Sequence, residues 1–162
     1  MPCPTLEMLI DDFSATVFIV KRQTDGLTHA DSLIQPPLRG NCLNWVVGHI
    51  VCRRNEALER LGESPFWDPA TIAIYITGSD PIKESSQALP LERLLDDLDE
   101  SQQRLEAALK SAKDETLERV IQIGEQSVTV RERLAGLHWH ETYHSGQLEL
   151  LRQLAGKNDK IF

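Results

Sequence analysis

The chain has 162 residues, 41% hydrophobic and 26% charged, the composition of an ordinary globular protein, and we read residues 1–162 as one domain. Its net charge of −8 argues against nucleic acid or an anionic membrane surface as a partner, since both reward excess cation. No run of about 18 apolar residues is available to cross a bilayer, and Met1 to Glu7 lacks a basic stretch leading into an apolar one, so a cytoplasmic location is expected. Three cysteines, Cys3, Cys42 and Cys52, do not make a disulfide framework.

In chain order, the first segment with helical periodicity runs from about Thr5 to Gln23, with Leu6, Leu9, Ile10, Phe13, Val17 and Val20 on one side. Gly26 and Pro36-Pro37 break it, and His29 falls in a polar stretch that reads as a turn and helix start. A second helix is predicted over Leu43–Leu61, ending at Gly62, a residue favoured just past a helix end. Residues 63–89 form a long connection, in which Thr71 to Ile76 packs over the core as a short helix or an extended strap.

Pro90 fits the first turn of a third long helix carrying Leu91, Leu94, Leu95, Leu98, Leu105 and Leu109. The alternation of Val120 to Val130 around Gly124 predicts a short β-hairpin. Thr129 with Glu132 three residues on is a capping box, opening a last helix that ends by Gly156. Four long helices, two long crossings and little strand make the fold all-α, a four-helix bundle.

The last helix carries His140-Glu141-Thr142-Tyr143-His144. Two histidines four apart on a helix leave the same face. With Leu137 at the centre of the buried stripe, His144 lies within about 40° and His140 about 60° away, both on the core side. The letters also spell the zinc-protease signature H-E-x-x-H, but the eighteen residues after His144 hold no histidine. A third ligand must therefore come from upstream. His138 points to the other side of its helix and His29 lies in a turn. His49, inside the apolar run Leu43 to Cys52, is the candidate. Its position is the flank of the stripe Leu43, Val47, Ile50, Ala57 and Leu61, shared with Trp45, Arg53 and Glu56. A ligand at a core edge suits an ion with open coordination positions; the competing reading is a half-exposed surface histidine.

Among the neighbours, Glu141 sits about 40° from the stripe centre. It orients a ligand, serves as base for metal-bound water, or forms an interhelical ion pair. Gln147, one turn beyond His144, is placed to hydrogen-bond near the open positions, and Gly146 to let another helix approach. Arg53 holds an anionic substrate group or is solvated. Cys52 is packing or an extra ligand, and Trp45 and Tyr143 are core or interface aromatics.

Asn44-Trp45-Val46-Val47-Gly48-His49-Ile50, with His140-Glu141-Thr142-Tyr143-His144-Ser145-Gly146-Gln147 far downstream, resembles the DinB-like superfamily. Its pattern is a "GH" on the second helix and "HxxxHxGQ" on the last. The likeness extends over nearly the whole chain. It implies a four-helix bundle, usually a homodimer, with a divalent ion such as zinc or nickel on the positions of His49, His140 and His144. It does not imply one reaction: relatives include thiol S-transferases that use low-molecular-weight thiols.

The expectation is a metal-dependent enzyme acting on small molecules, by thiol S-transfer or hydrolysis, with Glu141 and Gln147 in assisting roles. The alternatives are a non-catalytic metal-binding bundle and, more remotely, a zinc protease.

Overall fold

The computed structural model describes residues 4–37 and 39–161, so Cys3 lies outside the described residues. Helix α1 spans Leu6–Thr24 and is opened by Thr5, whose Oγ1 accepts from the Met8 amide at 3.2 Å. A one-turn helix α2, His29–Ser32, follows behind a capping box of Thr28 and Asp31. Helix α3 covers Leu43–Leu61, and Gly62 closes it at φ +91°, returning its amide to the carbonyls of Leu58 and Glu59. In the long connection, Asp68 caps α4, Pro69–Tyr75, accepting from Ala70 and Thr71. Of the two forms open to this segment, it adopts the helix.

Helix α5 runs Leu91–Ser111. Pro90 does not sit in its first turn; it precedes the helix as the cap, with extended backbone (φ −52°, ψ 139°). A five-residue helix α6, Asp114–Glu118, was not expected from periodicity. Strands β1, Val120–Ile123, and β2, Gln126–Thr129, pair antiparallel about a two-residue turn that begins with Gly124 at φ +59°. The Thr129–Glu132 box then starts α7, Val130–Leu154.

The four long helices close a ring in which α1 touches α5 and α7, and α3 touches the same two. Cross-links set the directions. His138 beside Asp12 and Arg152 on the Gln23 carbonyl make α1 and α7 parallel. Arg133 on Glu56 and Arg54 on Glu141 make α3 and α7 antiparallel. Asn44 on the Leu89 carbonyl and Arg54 on Ser101 make α3 and α5 parallel, so the connection between them must travel the length of the bundle. No helix of the described residues is long and apolar enough to cross a membrane.

The apolar interior falls into two clusters. One is built around Val47, Ile50, Leu94 and Leu148, the other around Leu9, Phe13, Leu105 and Leu134. The polar side chains of Arg54, Ser101 and Glu141 are buried alongside them.

Residue Tyr75, fully buried at the end of α4, pins the crossover to the bundle. Its hydroxyl donates to Asn44 Oδ1 at 3.0 Å and accepts from the Leu89 amide at 2.8 Å. Its ring packs against Gly48, where an added Cβ would collide with Cδ1, Cε1 and Cγ. The close-approach glycine is therefore Gly48. Around Gly146 an added Cβ meets nothing within 4 Å, because that face of α7 is exposed.

Candidate metal centre

Helices α3 and α7 bring His49, His140 and His144 together, with one ring nitrogen from each within 4.8 Å of the others. The Nε2 atoms of His140 and His144 stand 3.1 Å apart. Two ligands of an ion with bonds of about 2.0–2.1 Å would be spaced by about 3 Å. His49 meets both partner rings edge-on, at centroid distances of 5.1 and 4.8 Å.

The second nitrogen of two rings is already engaged. His49 Nδ1 lies 2.6 Å from the Tyr75 carbonyl, which can only accept, so Nδ1 carries the proton and Nε2 keeps its lone pair. His144 Nδ1 lies 2.7 Å from Gln147 Oε1, which likewise leaves Nε2 free to ligate. His140 Nδ1 is buried with no partner. Two of the three Nε2 lone pairs are thus fixed toward the centre, and with its proton on Nδ1 the His140 ring supplies the third. The donor set fits a divalent ion.

The electrostatics favour neutral imidazoles. Burial pushes His49 down to about 4, the Tyr75 hydrogen bond opposing it and the neighbouring rings and Arg53 adding to it. Burial also lowers His140 to about 4, with further depression from His144, Arg53 and Arg133. His144 is lowered by burial too, against the Gln147 hydrogen bond. Rings that resist protonation are the form a metal binds.

Residue His49 is not half-exposed at the core flank: it is 1% exposed. Trp45 stacks on its ring at 4.6 Å and 9°, held by an indole N–H···Oγ bond to Ser79 in the crossover. Tyr143, by contrast, is 56% exposed and meets His144 edge-on from outside. Cys52 is buried 5% exposed among the core residues, apart from the histidine group, and burial drives its thiol to about 11.

Of the two assisting residues, Gln147 is at the centre, through His144. The structure places Glu141 elsewhere: both its oxygens bind Arg54, at 2.9 Å each. Nothing in the sequence singles out Arg54, although it occupies the stripe position four after Ile50. The Tyr75 carbonyl was also missed, and no side-chain pattern announces a backbone acceptor. Arg53 lies one turn below His49 and pairs with Glu56 at 2.9 Å.

The architecture and the site define a helical bundle with a three-histidine centre on two antiparallel helices. The family model of the DinB superfamily matches residues 21–148, and the chain belongs to that superfamily. Among solved structures, a conserved protein from Enterococcus faecalis is similar at 20% identity and a TM-score of 0.74, covering 93% of this chain and 97% of that one. Mycothiol-dependent maleylpyruvate isomerase is similar at 16% identity and a TM-score of 0.66, covering 90% of this chain and 61% of the isomerase. A histidine-to-alanine variant of an isomerase of the same name gives 14% and 0.67, with the same coverage. At these identities the likeness is one of fold. No curated protein matches the sequence.

Proposed function

We propose that this protein is a metal-dependent enzyme acting on a small molecule, by thiol S-transfer or hydrolysis, with His49, His140 and His144 holding a divalent ion, zinc or nickel. The observation that carries this reading is the convergence of three neutral imidazoles, two of them tied back through Nδ1 by Tyr75 and Gln147. Three protein ligands leave coordination positions for water or substrate, where a structural site would be closed by four. When bound, such an ion supplies a Lewis acid that holds a thiol as thiolate or acidifies a water.

In this reading Gln147 fixes the His144 ring and its tautomer, and Trp45 holds the plane of His49. Glu141 acts on the centre at one remove, through Arg54, by fixing how α7 presents His140 and His144. With both oxygens bound to Arg54, Glu141 is not placed as the general base of a zinc protease. The fold shared with a mycothiol-dependent isomerase supports a low-molecular-weight thiol as the partner. A cytoplasmic homodimer accords with the family. The exposed Trp139, Tyr143 and Leu150 of α7 offer a second copy an apolar face.

The test is elemental analysis of untagged wild type, His49→Ala and His144→Ala, followed by a thiol-transfer screen. About one zinc or nickel per chain in wild type, lost in both variants, is expected. Wild type that stays empty after incubation with both metals overturns the reading. Metal that is bound without any exchangeable water, and whose removal unfolds the chain, would make the ion structural.

A further inference from the structure

Below the histidines, the packed faces of α3 and α7 gather three guanidinium groups on one carboxylate. Arg133 Nε and Nη2 reach Glu56 at 2.8 and 2.9 Å, Arg53 Nη2 reaches it at 2.9 Å, and Arg60 Nη2 at 3.4 Å. Among the described residues, no other carboxylate oxygen lies within 4.0 Å of these three arginines. Most of the cluster is withdrawn from solvent: side-chain exposure is 21% for Arg53, 15% for Glu56 and 18% for Arg133, with Arg60 at its edge at 35%.

The donors far outnumber the acceptors. Each guanidinium has five N–H groups and a carboxylate about four lone-pair positions, so roughly fifteen donors face four sites. The surplus is visible, since Arg53 Nε and Arg60 Nε are both buried without a hydrogen-bond partner. One carboxylate shared by three cations is oversubscribed, and the solvent-facing N–H groups of these partly exposed guanidiniums can take an acceptor from outside the chain. The net local charge is positive in a protein whose total is −8. Position completes the argument. Arg53 is one turn from His49 on α3, and Arg133 is two turns before His140 on α7, so the cluster sits on the same two facing helices as the three imidazoles.

We propose that Arg53, Arg60 and Arg133, gathered on Glu56, form a subsite that receives a carboxylate of the small molecule whose reacting group sits at the three-histidine centre. The substrate class is thereby narrowed to small organic acids, including thiols that carry a carboxylate. Planar guanidiniums suit a carboxylate because two parallel N–H···O bonds fix its orientation as well as its position. Glu56 holds the three cations in place before the ligand arrives. This inference rests on the proposed metal site for the second anchor only.

Calorimetric titration of zinc-loaded protein with succinate and with its neutral diamide, succinamide, tests the subsite. Wild type, Arg53→Gln, Arg133→Gln, Arg53→Lys and His144→Ala are compared. Succinate is expected to bind wild type at least about tenfold more tightly than succinamide. That margin should shrink about tenfold in either glutamine variant and return in part with Arg53→Lys, which keeps the charge and separates loss of the cation from loss of the fold. No succinate binding, an equal affinity for both compounds, or a margin that survives both glutamine substitutions overturns the subsite. A margin lost only in His144→Ala also overturns it, placing the carboxylate on the ion. If the chain takes up no zinc, the same titration is made on metal-free protein. Arginine-dependent succinate binding there upholds the subsite while the metal reading falls.

Discussion

Residues Arg54 and Glu141 close on each other across the α3–α7 interface through two parallel N–H···O bonds of 2.9 Å, with side chains 0% and 1% exposed. The guanidinium also donates to Gln102 Oε1 at 3.0 Å and to the Phe13 carbonyl at 2.9 Å, so one side chain from α3 reaches all three other long helices. Burial pushes the Glu141 carboxyl up and the arginine pulls it down; the paired geometry is that of a carboxylate. Because Glu141 lies between His140 and His144 in the chain, this contact sets the rotation and height of α7 against α3.

Removing one member of such a pair leaves a buried charge uncompensated, at a cost of about 3–5 kcal/mol. Glu141→Gln is therefore expected to lose about 3 kcal/mol in urea unfolding. Arg54→Met combined with Glu141→Leu should recover most of it, since paired apolar replacement is often close to neutral. A Glu141→Gln variant as stable as wild type would contradict this account.

Substituting Gly48→Ala puts a methyl group 2.3 Å from the Tyr75 ring. The ring cannot withdraw without giving up its bonds to Asn44 and Leu89. Overpacking of this kind costs about 1–3 kcal/mol, and displacement of Tyr75 also moves the carbonyl that His49 uses. A lowered melting temperature together with weaker zinc retention is expected. Gly146→Ala, with open space around it, should change neither.

Loss of the Gln147 contact with His144 leaves that ring free to rotate and to change tautomer. Partners of metal-bound histidines typically contribute 10–100-fold in affinity. We expect Gln147→Ala to bind zinc about 10-fold more weakly in chelator competition, with an unchanged melting temperature in the metal-free state. Gln147→Glu, which keeps an acceptor for Nδ1, should bind zinc at least as well as wild type.

The thiol of Cys52 is 5% exposed and driven up to about 11, so the reactive thiolate is scarce at pH 8. Peptide mapping after iodoacetamide treatment should find Cys52 unmodified in folded protein and fully modified in urea. Rapid labelling of the native chain would show that this part of α3 opens.

The bundle was readable because its signals are local. Gly62 and the Thr129–Glu132 box end and begin helices through contacts made within a few residues. Helix α6, only five residues long, is too short to display a period. The errors arose where the answer lay with a distant neighbour. Gly48 and Gly146 look alike along the chain, and only Tyr75, arriving from the crossover, distinguishes them. For the same reason the wheel of α3 puts His49 on a flank: it shows which way the residue faces but not that the end of α4 covers that side. The chemistry of the centre was legible as residue types at helical spacing. Its supports were less so, and the three arginines converge from positions 53, 60 and 133 that share no short pattern.

The imidazole of His49 is steadied by a main-chain oxygen of Tyr75, so the centre depends on that residue through where its side chain anchors the crossover. Tyr75→Phe keeps the ring against Gly48 and loses only the hydroxyl contacts, and should leave the imidazole aligned. Insertions or deletions that shift the end of α4 are a different matter. They would slide the acceptor away from Nδ1 even if every histidine, glutamine and arginine were retained. Tolerance to mutation in this loop is thus set by its length as much as by the side chain of Tyr75.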